Sequence, residues 1–369
     1  MIKKKIINFI PNFYFGGVEK TNITLSKELS KSGYEVELLT NNFLNNRLSK
    51  NNKHKIKSFN KKKMSNIILD LTKHIRKTKP DLIICSQFYA NIIIIISCFI
   101  SGYKNKLILC ERVPINENLK KISFFKRIIL KFMIKILYNK ADLIICNSNG
   151  TKKELEKIVN GLNSVVIYNP VITDQIQMLS DEQINDFMFD KSIIHLITVS
   201  RVSYEKNIKE MIDIVLQIPE NIDFKLLIIG DGDQLDSLKS YAQSTKYTEK
   251  IIFMGYKSNP YKYLKNSDIY LSTAQFEGMG NSLVEALYFN LQVIAYNCPG
   301  GISEVLGNGK FGHLIEQHNK NQFIKILEQS MLNSNKSRFD KDLNSHLDLF
   351  LKMKVINKFI NIIKQIEKQ

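Results

Sequence analysis

Short, continuous apolar runs recur along this chain, and each is followed by a turn and a segment of helical periodicity. Leu82–Cys85, Leu107–Cys110 and Leu143–Cys146 are typical examples. A run that is apolar at every position is typical of a strand buried on both faces, as in a parallel sheet covered by helices. Strand–helix alternation over 369 residues, more than one ordinary core holds, predicts two doubly wound α/β domains.

The segment from 267 to 287 predicts a binding loop between a strand and a helix. An apolar strand ends in a loop that contains Gly278, and a helix begins at Asn281 and Ser282. Glycine permits a ligand to approach the backbone closely, and a helix N-terminus attracts anions such as phosphate. The segment therefore favours an anionic ligand.

Two carboxylates in this segment, Glu277 and Glu285, lie eight residues apart. Glu285, inside the helix, would repel a phosphate and is better suited to hydroxyl groups, such as those of a ribose. Glu277 precedes the helix and would face a sugar at the other end of the ligand. The alternative is an ordinary surface loop with a solvated glutamate, because helices carry many glutamates.

Other strand-to-helix turns have similar features. Gly16 and Gly17 separate the first strand from a helix, and Gly230 begins a glycine–acid–glycine turn after another strand. Arg201 and Lys206 lie five residues apart between a strand and a helix, where two cations can clamp a diphosphate. The alternative for each is a plain solvent-facing turn.

Together these motifs resemble those of glycosyltransferase family 4, whose members are retaining enzymes with the GT-B fold. Glu277 and Glu285 resemble the family's E-x7-E signature. The further matches, in family order, are Gly16-Gly17-Val18-Glu19, Asn169-Pro170-Val171, Ser200-Arg201 with Lys206 (serine replaces the family's glycine), Gly230-Asp231-Gly232 and Pro299-Gly300-Gly301. The matches extend from Gly16 to Glu304, most of the chain.

The resemblance implies an α/β protein of the GT-B type, with two Rossmann-like doubly wound domains facing a cleft. We expect an acceptor-binding, membrane-associating domain over 1–170, a nucleotide-sugar-binding domain over 171–346, and a helix over 347–369 that crosses back to the first domain. It also implies catalytic roles for Glu277, Arg201 and Lys206. The donor-binding residues that it implies are Gly16, Gly17, Gly230, Gly255, Tyr256, Gly278, Met279, Asn281, Ser282 and Glu285.

Glu111 and Arg112 directly follow the predicted strand Lys106–Cys110. In open α/β sheets, ligands bind at the carboxyl ends of the strands. Many family 4 proteins have a histidine near this point, whereas this chain resembles members acting on bacterial polysaccharides in having Glu-Arg. Both residues are therefore acceptor-side candidates, and an exposed ion pair is the alternative.

The positive charge is concentrated in the first half of the chain. Residues 1–168 contain 31 Lys and Arg against 11 Asp and Glu, and the remainder contains 22 against 24. Residues 119–138 carry no acid and combine apolar residues at helical spacing with a basic face, which predicts contact with an anionic membrane. The candidates for that contact are Lys120, Lys121, Phe124, Phe125, Arg127, Lys131 and Lys135. The alternative is a helix that packs on the sheet with solvated lysines.

Composition excludes several other classes of protein. The longest apolar run, Ile92–Ile100, is too short to span a bilayer. The apolar N-terminal residues are expected to form a strand rather than a signal peptide, because Pro11 follows without a cleavage site. The five scattered cysteines favour buried thiols in a reducing cytoplasm, and neither a metal site nor a cofactor is expected.

The sequence thus predicts a metal-independent hexosyltransferase. It would move a sugar from a nucleotide-diphosphate sugar, in particular a UDP-sugar, to a polyprenyl-diphosphate-linked or other lipid-linked glycan. We expect it to serve bacterial O-antigen or capsule assembly from the inner face of the plasma membrane, as a cytoplasmic peripheral protein without a nucleic-acid partner. Three alternatives stay open: a catalytically silent GT-B scaffold subunit, a basic nucleic-acid-binding protein, and a sugar-nucleotide epimerase.

Overall fold

The structure is a computed structural model, and it describes residues 3–13, 16–43, 56–120, 122–332 and 341–368. The chain divides into two compact units. The first unit combines Met1–Pro170 with Met353–Gln369, and the second unit is Val171–Lys352.

The first unit contains a seven-stranded sheet in which every pairing is parallel. Its strands are β1 (Lys5–Phe13), β2 (Glu35–Phe43), β3 (Ile56–Ser58), β4 (Leu82–Ser86), β5 (Lys106–Glu111), β6 (Leu143–Cys146) and β7 (Ser164–Val166). They lie in the order β3-β2-β1-β4-β5-β6-β7, so the chain winds first in one direction from β1 and then in the other. This order is that of a doubly wound, Rossmann-like sheet.

Helices cover both faces of this sheet. They are α1 (Gly17–Lys31), α2 (Ile68–Thr78), α3 (Phe88–Ser101), α4 (Ile115–Lys120), α5 (Phe124–Leu137) and α6 (Asn149–Glu156). Successive strand residues point to opposite faces. Accordingly, Ile7 and Phe9 join the core under α2–α6, whereas Ile6 joins the core under α1. Burial on both faces explains why the strands read as continuous apolar runs.

The second unit repeats the pattern with a six-stranded, all-parallel sheet. Its strands are β8 (Ile194–Val199), β9 (Phe224–Ile229), β10 (Ile251–Gly255), β11 (Ile269–Ser272), β12 (Gln292–Asn297) and β13 (His313–Glu316). Its helices are α7 (Ile176–Ser180), α8 (Ile208–Val215), α9 (Leu235–Gln243), α10 (Tyr261–Lys265), α11 (Asn281–Tyr288), α12 (Ile302–Val305), α13 (Lys320–Leu332) and α14 (Lys341–Leu347). The strand order is β10-β9-β8-β11-β12-β13.

The last helix, α15 (Lys352–Ile366), packs on the first unit. Its buried face joins the core that α1 covers, through Val355, Ile356, Phe359, Ile360, Ile363 and Ile366. A turn at Asp348–Phe350 separates it from α14, so the predicted helix over 347–369 begins later than expected.

All five cysteines are buried and free of disulfides, as predicted for buried thiols. Among the described residues, none of the helices combines the length and the apolar character needed to cross a membrane.

Candidate functional site

A cavity lies where the strand order of the second unit reverses. The chain continues from β8 to one side of the sheet and from β11 to the other, which opens a crevice beyond the carboxyl ends of these two strands. The empty space at this crevice amounts to about 240 Å³, part of which is open to solvent. Its lining includes Thr198, Ser200, Lys206, Tyr270, Ser272, Thr273, Glu277 and Ser282. The sequence-predicted Lys206, Glu277 and Ser282 are therefore brought to one place.

Lys206 and Glu277 form an ion pair at this cavity, from the ammonium Nζ to the carboxylate Oε2. Their side chains are only 16% and 20% exposed, so water screens the pair incompletely. Sequence reasoning identified both residues but assigned them separate partners on a ligand. The pairing shows that the cation and the carboxylate hold each other in position.

Backbone contacts fix the loops that carry this pair. The Thr273 hydroxyl donates to the carbonyls of Lys206 (3.2 Å) and Asn207 (2.9 Å). The Glu277 N–H donates to the Pro299 carbonyl at 3.0 Å, and the Gly301 N–H donates to the Glu277 carbonyl at 3.2 Å. The Pro-Gly-Gly turn, predicted as a separate glycine loop, thus supports Glu277 directly.

The glycine–acid–glycine turn supports the loop after β8. A Cβ on Gly230 would lie 1.7 Å from the Ser200 carbonyl oxygen, and one on Gly232 would lie 2.1 Å from that of Val202. The Val202 N–H donates to the Asp231 carbonyl at 3.0 Å. Only glycine permits so close an approach. Gly230 therefore packs against the loop that leads to Lys206.

Arg201 does not line the cavity. Its guanidinium group is 69% exposed and pairs with Glu205 at 3.1 Å. The predicted clamp of two cations is thus present in the sequence, but of the two only Lys206 faces the cavity.

The first turn of α11 borders the cavity and involves a residue that sequence reasoning missed. Gly280 precedes the helix in the left-handed region, with φ of 83°, and α11 begins at Asn281. The Tyr270 hydroxyl lies 2.6 Å from the Ser282 hydroxyl and donates weakly to the Val199 carbonyl at 3.3 Å. Burial raises the pKa of Tyr270 to about 12, so the hydroxyl stays protonated. In the sequence, Tyr270 is one of the residues of the apolar strand before the loop, and nothing there indicates a role for its hydroxyl.

Glu285 lies further along α11 and is only 7% exposed. The Tyr261 hydroxyl of α10 is hydrogen-bonded to its carboxylate; burial first, and the Glu285 charge second, raise the pKa of Tyr261. This contact orients Glu285 and was also missed, because nothing in the spacing of 261 and 285 signals it.

The remaining donor-side candidates differ in their surroundings. Met279 is 1% exposed, so its side chain belongs to the interior, whereas Tyr256 after β10 is 39% exposed. Gly255 has φ of 66° and no atom within 4 Å of an added Cβ. Gly16 is the N-cap of α1 in the first unit. The remaining two, Gly17 and Gly278, begin α1 and follow Glu277 respectively.

The structure separates the two acceptor-side candidates, Glu111 and Arg112. Both are buried, at 1% and 5% exposure, so the exposed ion pair considered as an alternative is absent. Glu111 accepts hydrogen bonds from Tyr138 (2.5 Å) and Asn91 (2.7 Å). Burial raises the pKa of Glu111 to about 7, against the lowering effect of these bonds and of Arg112.

The predicted amphipathic helix over 119–138 corresponds to two helices: α4 ends at Lys120 and α5 begins at Phe124. Lys120 ends α4 and pairs with Glu117, and Lys121 lies outside the described residues. The core-facing side of α5 is formed by Leu130, Met133, Ile134 and Leu137. Its opposite side is apolar yet solvent-facing, so most of the apolar positions do not pack on the sheet as the alternative required.

We call this exposed side the α5 surface. Its members are Phe124, Phe125, Ile128, Ile129, Phe132 and Ile136, between 48% and 78% exposed. At 100° per residue, Lys131 and Lys135 lie along one edge of it, and Arg127 is 5.5 Å from the Phe124 ring. A contiguous exposed apolar face of this kind marks a contact surface.

The described part of the chain holds no group of three or more His, Cys, Asp or Glu side chains arranged to bind a metal ion.

Two family models match the chain, one in each half. The model described as "Glycosyltransferase Family 4" matches residues 15–175, and "Glycosyl transferases group 1" matches residues 180–342. Together they account for most of the sequence.

Among curated relatives, the N-acetylgalactosamine-N,N'-diacetylbacillosaminyl-diphospho-undecaprenol 4-alpha-N-acetylgalactosaminyltransferase of Campylobacter jejuni is 30% identical over 64% of this chain. The match spans 63% of that protein's length, less than two thirds of it. An amylovoran biosynthesis glycosyltransferase of Erwinia amylovora is 23% identical over 85% of this chain and 86% of its own length.

A solved structure supports the fold. Anabaena HepE in complex with UDP and glucose has a TM-score of 0.77 with this chain at 17% identity, and the match covers 98% of this chain and 100% of HepE. The α/β GT-B fold predicted from the sequence is thereby confirmed. With both halves matched by the family models, the chain belongs to glycosyltransferase family 4.

Proposed function

We propose that this protein is a retaining glycosyltransferase that takes a hexose from a UDP-sugar. The acceptor in this proposal is a lipid-linked glycan of bacterial surface polysaccharide assembly, O-antigen or capsule. The observation that carries the proposal is the arrangement of Lys206, Glu277 and Ser282 around the cavity at the switch point of the second sheet. Such a crevice is where open α/β sheets bind ligands.

Each residue has a role that follows from its chemistry. Lys206 is a point charge suited to the diphosphate that becomes the leaving group, and the first turn of α11 adds its positive dipole end beside Ser282. Arg201 joins them by giving up its exposed contact with Glu205. These groups stabilise charge as it develops on the leaving group, so the proposal needs no metal ion.

The carboxylates serve the neutral parts of the donor. Glu277, beside Lys206, accepts hydrogen bonds from hydroxyl groups of the transferred sugar. Glu285, held by Tyr261, accepts them from the ribose. Since these contacts place the donor without supplying an obvious nucleophile for double displacement, the proposed course is attack of the acceptor from the face of the leaving group.

Ligand binding exchanges partners within the Lys206–Glu277 pair. Without donor, each residue neutralises the other. With donor, Lys206 turns to the diphosphate and Glu277 to the sugar hydroxyls, so neither group is left without a hydrogen-bond partner in a partly buried place. The pair keeps both side chains ordered before binding, which lowers the entropy cost of assembling the site.

The α5 surface supports a lipid-linked acceptor. Its aromatic and aliphatic side chains are exposed, α5 carries no acidic residue, and basic residues line its edge. This combination fits an anionic membrane surface, where each basic residue contributes about 1 kcal/mol. The named relatives also favour surface glycans: one acts on a diphospho-undecaprenol-linked sugar and another belongs to amylovoran biosynthesis. The protein would then work as a peripheral protein on the cytoplasmic face of the membrane.

Donor hydrolysis tests the proposal. We would incubate the protein with UDP-, GDP- and ADP-sugars and measure nucleotide release by wild type, Arg201→Ala and Glu277→Ala. We expect slow release of one nucleotide, lost in both variants. Lys209→Ala is the matched control, because this exposed lysine of the same unit pairs with Asp213 outside the cavity.

Failure would be equally informative. If no nucleotide is released and no nucleotide produces a thermal shift, the protein is not an active sugar-nucleotide enzyme. That result would favour a scaffold subunit. Binding to DNA without donor hydrolysis would favour the nucleic-acid alternative.

A further inference from the structure

Arg112 is a buried cation with unused hydrogen-bonding capacity. It follows β5 at the carboxyl edge of the first sheet and is 5% exposed. One terminal nitrogen donates to the Asn169 side chain at 3.0 Å. Its Nε and its second terminal nitrogen have no hydrogen-bond partner of ordinary geometry among the described residues, although the guanidinium lies close enough to the Cys110 thiol to lower the pKa of that thiol against the effect of burial. Three of the five guanidinium N–H groups are on those two nitrogens.

No carboxylate neutralises this charge at contact distance within the part of the chain that the structure describes. The adjacent Glu111 forms no ion pair with Arg112, because its carboxyl group lies against α3 and the turn after α5. There its carboxyl group is occupied by Tyr138 and Asn91. A buried guanidinium without a paired anion destabilises the folded state. A contribution to the stability of the fold therefore does not explain why an arginine occupies this position.

The surroundings of Arg112 are polar and lie at the ligand-binding edge of the sheet. Asn147, at the end of β6, donates to the Arg112 carbonyl at 3.0 Å, and its own side-chain oxygen has no hydrogen-bond partner in the described structure. Helix α6 begins two residues later, so its positive dipole end is at the same edge. A negatively charged ligand would satisfy the cation, and a hydroxyl group beside it would satisfy the asparagine.

We propose that Arg112 binds a phosphate oxyanion of the acceptor, the diphosphate that links the glycan to its lipid. This inference rests on the proposed function and assigns the acceptor subsite to this one residue. The planar guanidinium presents N–H groups in a fork that matches two oxygens of a phosphate. Glu111 does not contact the acceptor; with Tyr138 and Asn91 it anchors the strand end from which Arg112 projects.

Ligand-induced thermal shifts test the assignment. The probes are farnesyl diphosphate for the acceptor and UDP for the donor, with wild type and Arg112→Met, which keeps the stem and removes the charge. We expect farnesyl diphosphate to stabilise wild type and to bind Arg112→Met roughly 10- to 100-fold more weakly, the loss expected for charged hydrogen bonds. UDP should stabilise both proteins equally. Arg76→Met, which removes a guanidinium bonded to the end of α3, should respond to both probes as wild type does.

The melting temperatures of the proteins without added ligand give a second readout. A structural role for Arg112 would change them in the opposite direction to the one that we expect. Because the charge is unpaired, Arg112→Met should unfold at a higher temperature than wild type, and Arg112→Lys should not. A lower melting temperature for Arg112→Met would overturn the proposal.

The two probes separate the remaining outcomes. Equal protection of wild type and Arg112→Met by farnesyl diphosphate would overturn the assignment. Loss of only the UDP shift in Arg112→Met would also overturn it, because Arg112 would then bind the diphosphate of the donor. Absence of a UDP shift in every protein would count against the proposed function, while the farnesyl diphosphate comparison would still decide the role of Arg112.

Discussion

Lys206 and Glu277, 71 positions apart in the sequence, form an ion pair in the lining of the cavity beyond the carboxyl ends of β8 and β11. Their pairing couples the turn after β8 to the loop before α11. A change at either residue therefore acts on both loops. Changing both residues together should restore stability but not activity, which separates the two effects.

A double-mutant cycle tests this coupling. Lys206→Met or Glu277→Gln alone leaves the partner without its bond in a mostly buried place, which should cost about 1–3 kcal/mol in the free energy of unfolding. The double variant removes both groups and should recover most of that loss, while donor hydrolysis stays abolished in all three proteins. Urea denaturation measures the stability. Additive losses in the double variant would show that the pair is not coupled.

The close approach of Gly230 to the Ser200 carbonyl predicts a position-specific effect of adding one methyl group. Gly230→Ala places a Cβ at 1.7 Å from that oxygen and must displace the loop that leads to Lys206. We expect donor hydrolysis to fall at least 100-fold, with a lower melting temperature. Gly102→Ala is the matched control: Gly102 also has positive φ, but an added Cβ meets no atom within 4 Å, so the substitution should cost about 1 kcal/mol in the free energy of unfolding and leave donor hydrolysis unchanged. Equal effects of the two would contradict the packing argument.

Glu111 predicts a pH dependence of stability. The pKa of Glu111 is about 7 in the folded protein, above the ordinary 4.5. Between pH 4.5 and pH 7, the folded protein therefore keeps a proton on Glu111 that the unfolded chain has lost. Stability should therefore fall as pH rises from about 4.5 to 7, by up to about 1.4 kcal/mol per pH unit. Burial also raises the pKa values of its neighbours Tyr138, Cys85, Cys110 and Cys146, which stay neutral in this range.

The measurement is urea denaturation at several pH values for wild type and Glu111→Gln. Gln has the same shape, can accept from Tyr138 and Asn91, and does not ionise. The fall in stability should be smaller in this variant, and an identical pH profile for the two proteins would remove Glu111 as its cause.

The α5 surface predicts salt-dependent binding to anionic vesicles. Phe125→Ser with Phe132→Ser removes two exposed rings, each worth about 1.5–3 kcal/mol if fully buried in lipid, so we expect binding to weaken by about 100-fold or more. Cosedimentation with vesicles that contain acidic lipid measures it, and added salt should weaken wild-type binding through the basic edge. Leu332→Ser, an equally exposed apolar residue of the second unit, should bind as wild type. No difference between the two variants would exclude the α5 surface as the membrane contact.

The sequence predicts the elements that follow from local pattern. Strands buried on both faces are continuous apolar runs, and Gly280 and Gly230 mark turns that other residues cannot form. It also places Lys206, Glu277 and Ser282 at strand ends, which is sufficient to bring them together once the order of strands is known.

What the sequence could not predict depends on direction and on distant partners. Arg201 and Lys206 belong to one motif, yet one side chain faces solvent and the other the cavity. Tyr270 appears as one more apolar strand residue, and its hydroxyl finds Ser282 only after folding. The helical period of 119–138 identified an apolar face, but the side that packs on the core is the one with Leu130 and Ile134, and the wider apolar side is left exposed.

The return of α15 to the first unit has a consequence for synthesis on the ribosome. The core under α1 lacks six of its apolar side chains until residues 355–366 have been made. The second unit, Val171–Lys352, has by then emerged and contains all of its own strands. The unit encoded in the middle of the chain is therefore expected to mature first. A nascent chain that stops before Met353 would carry a folded second unit beside a first unit with an uncovered, aggregation-prone sheet face.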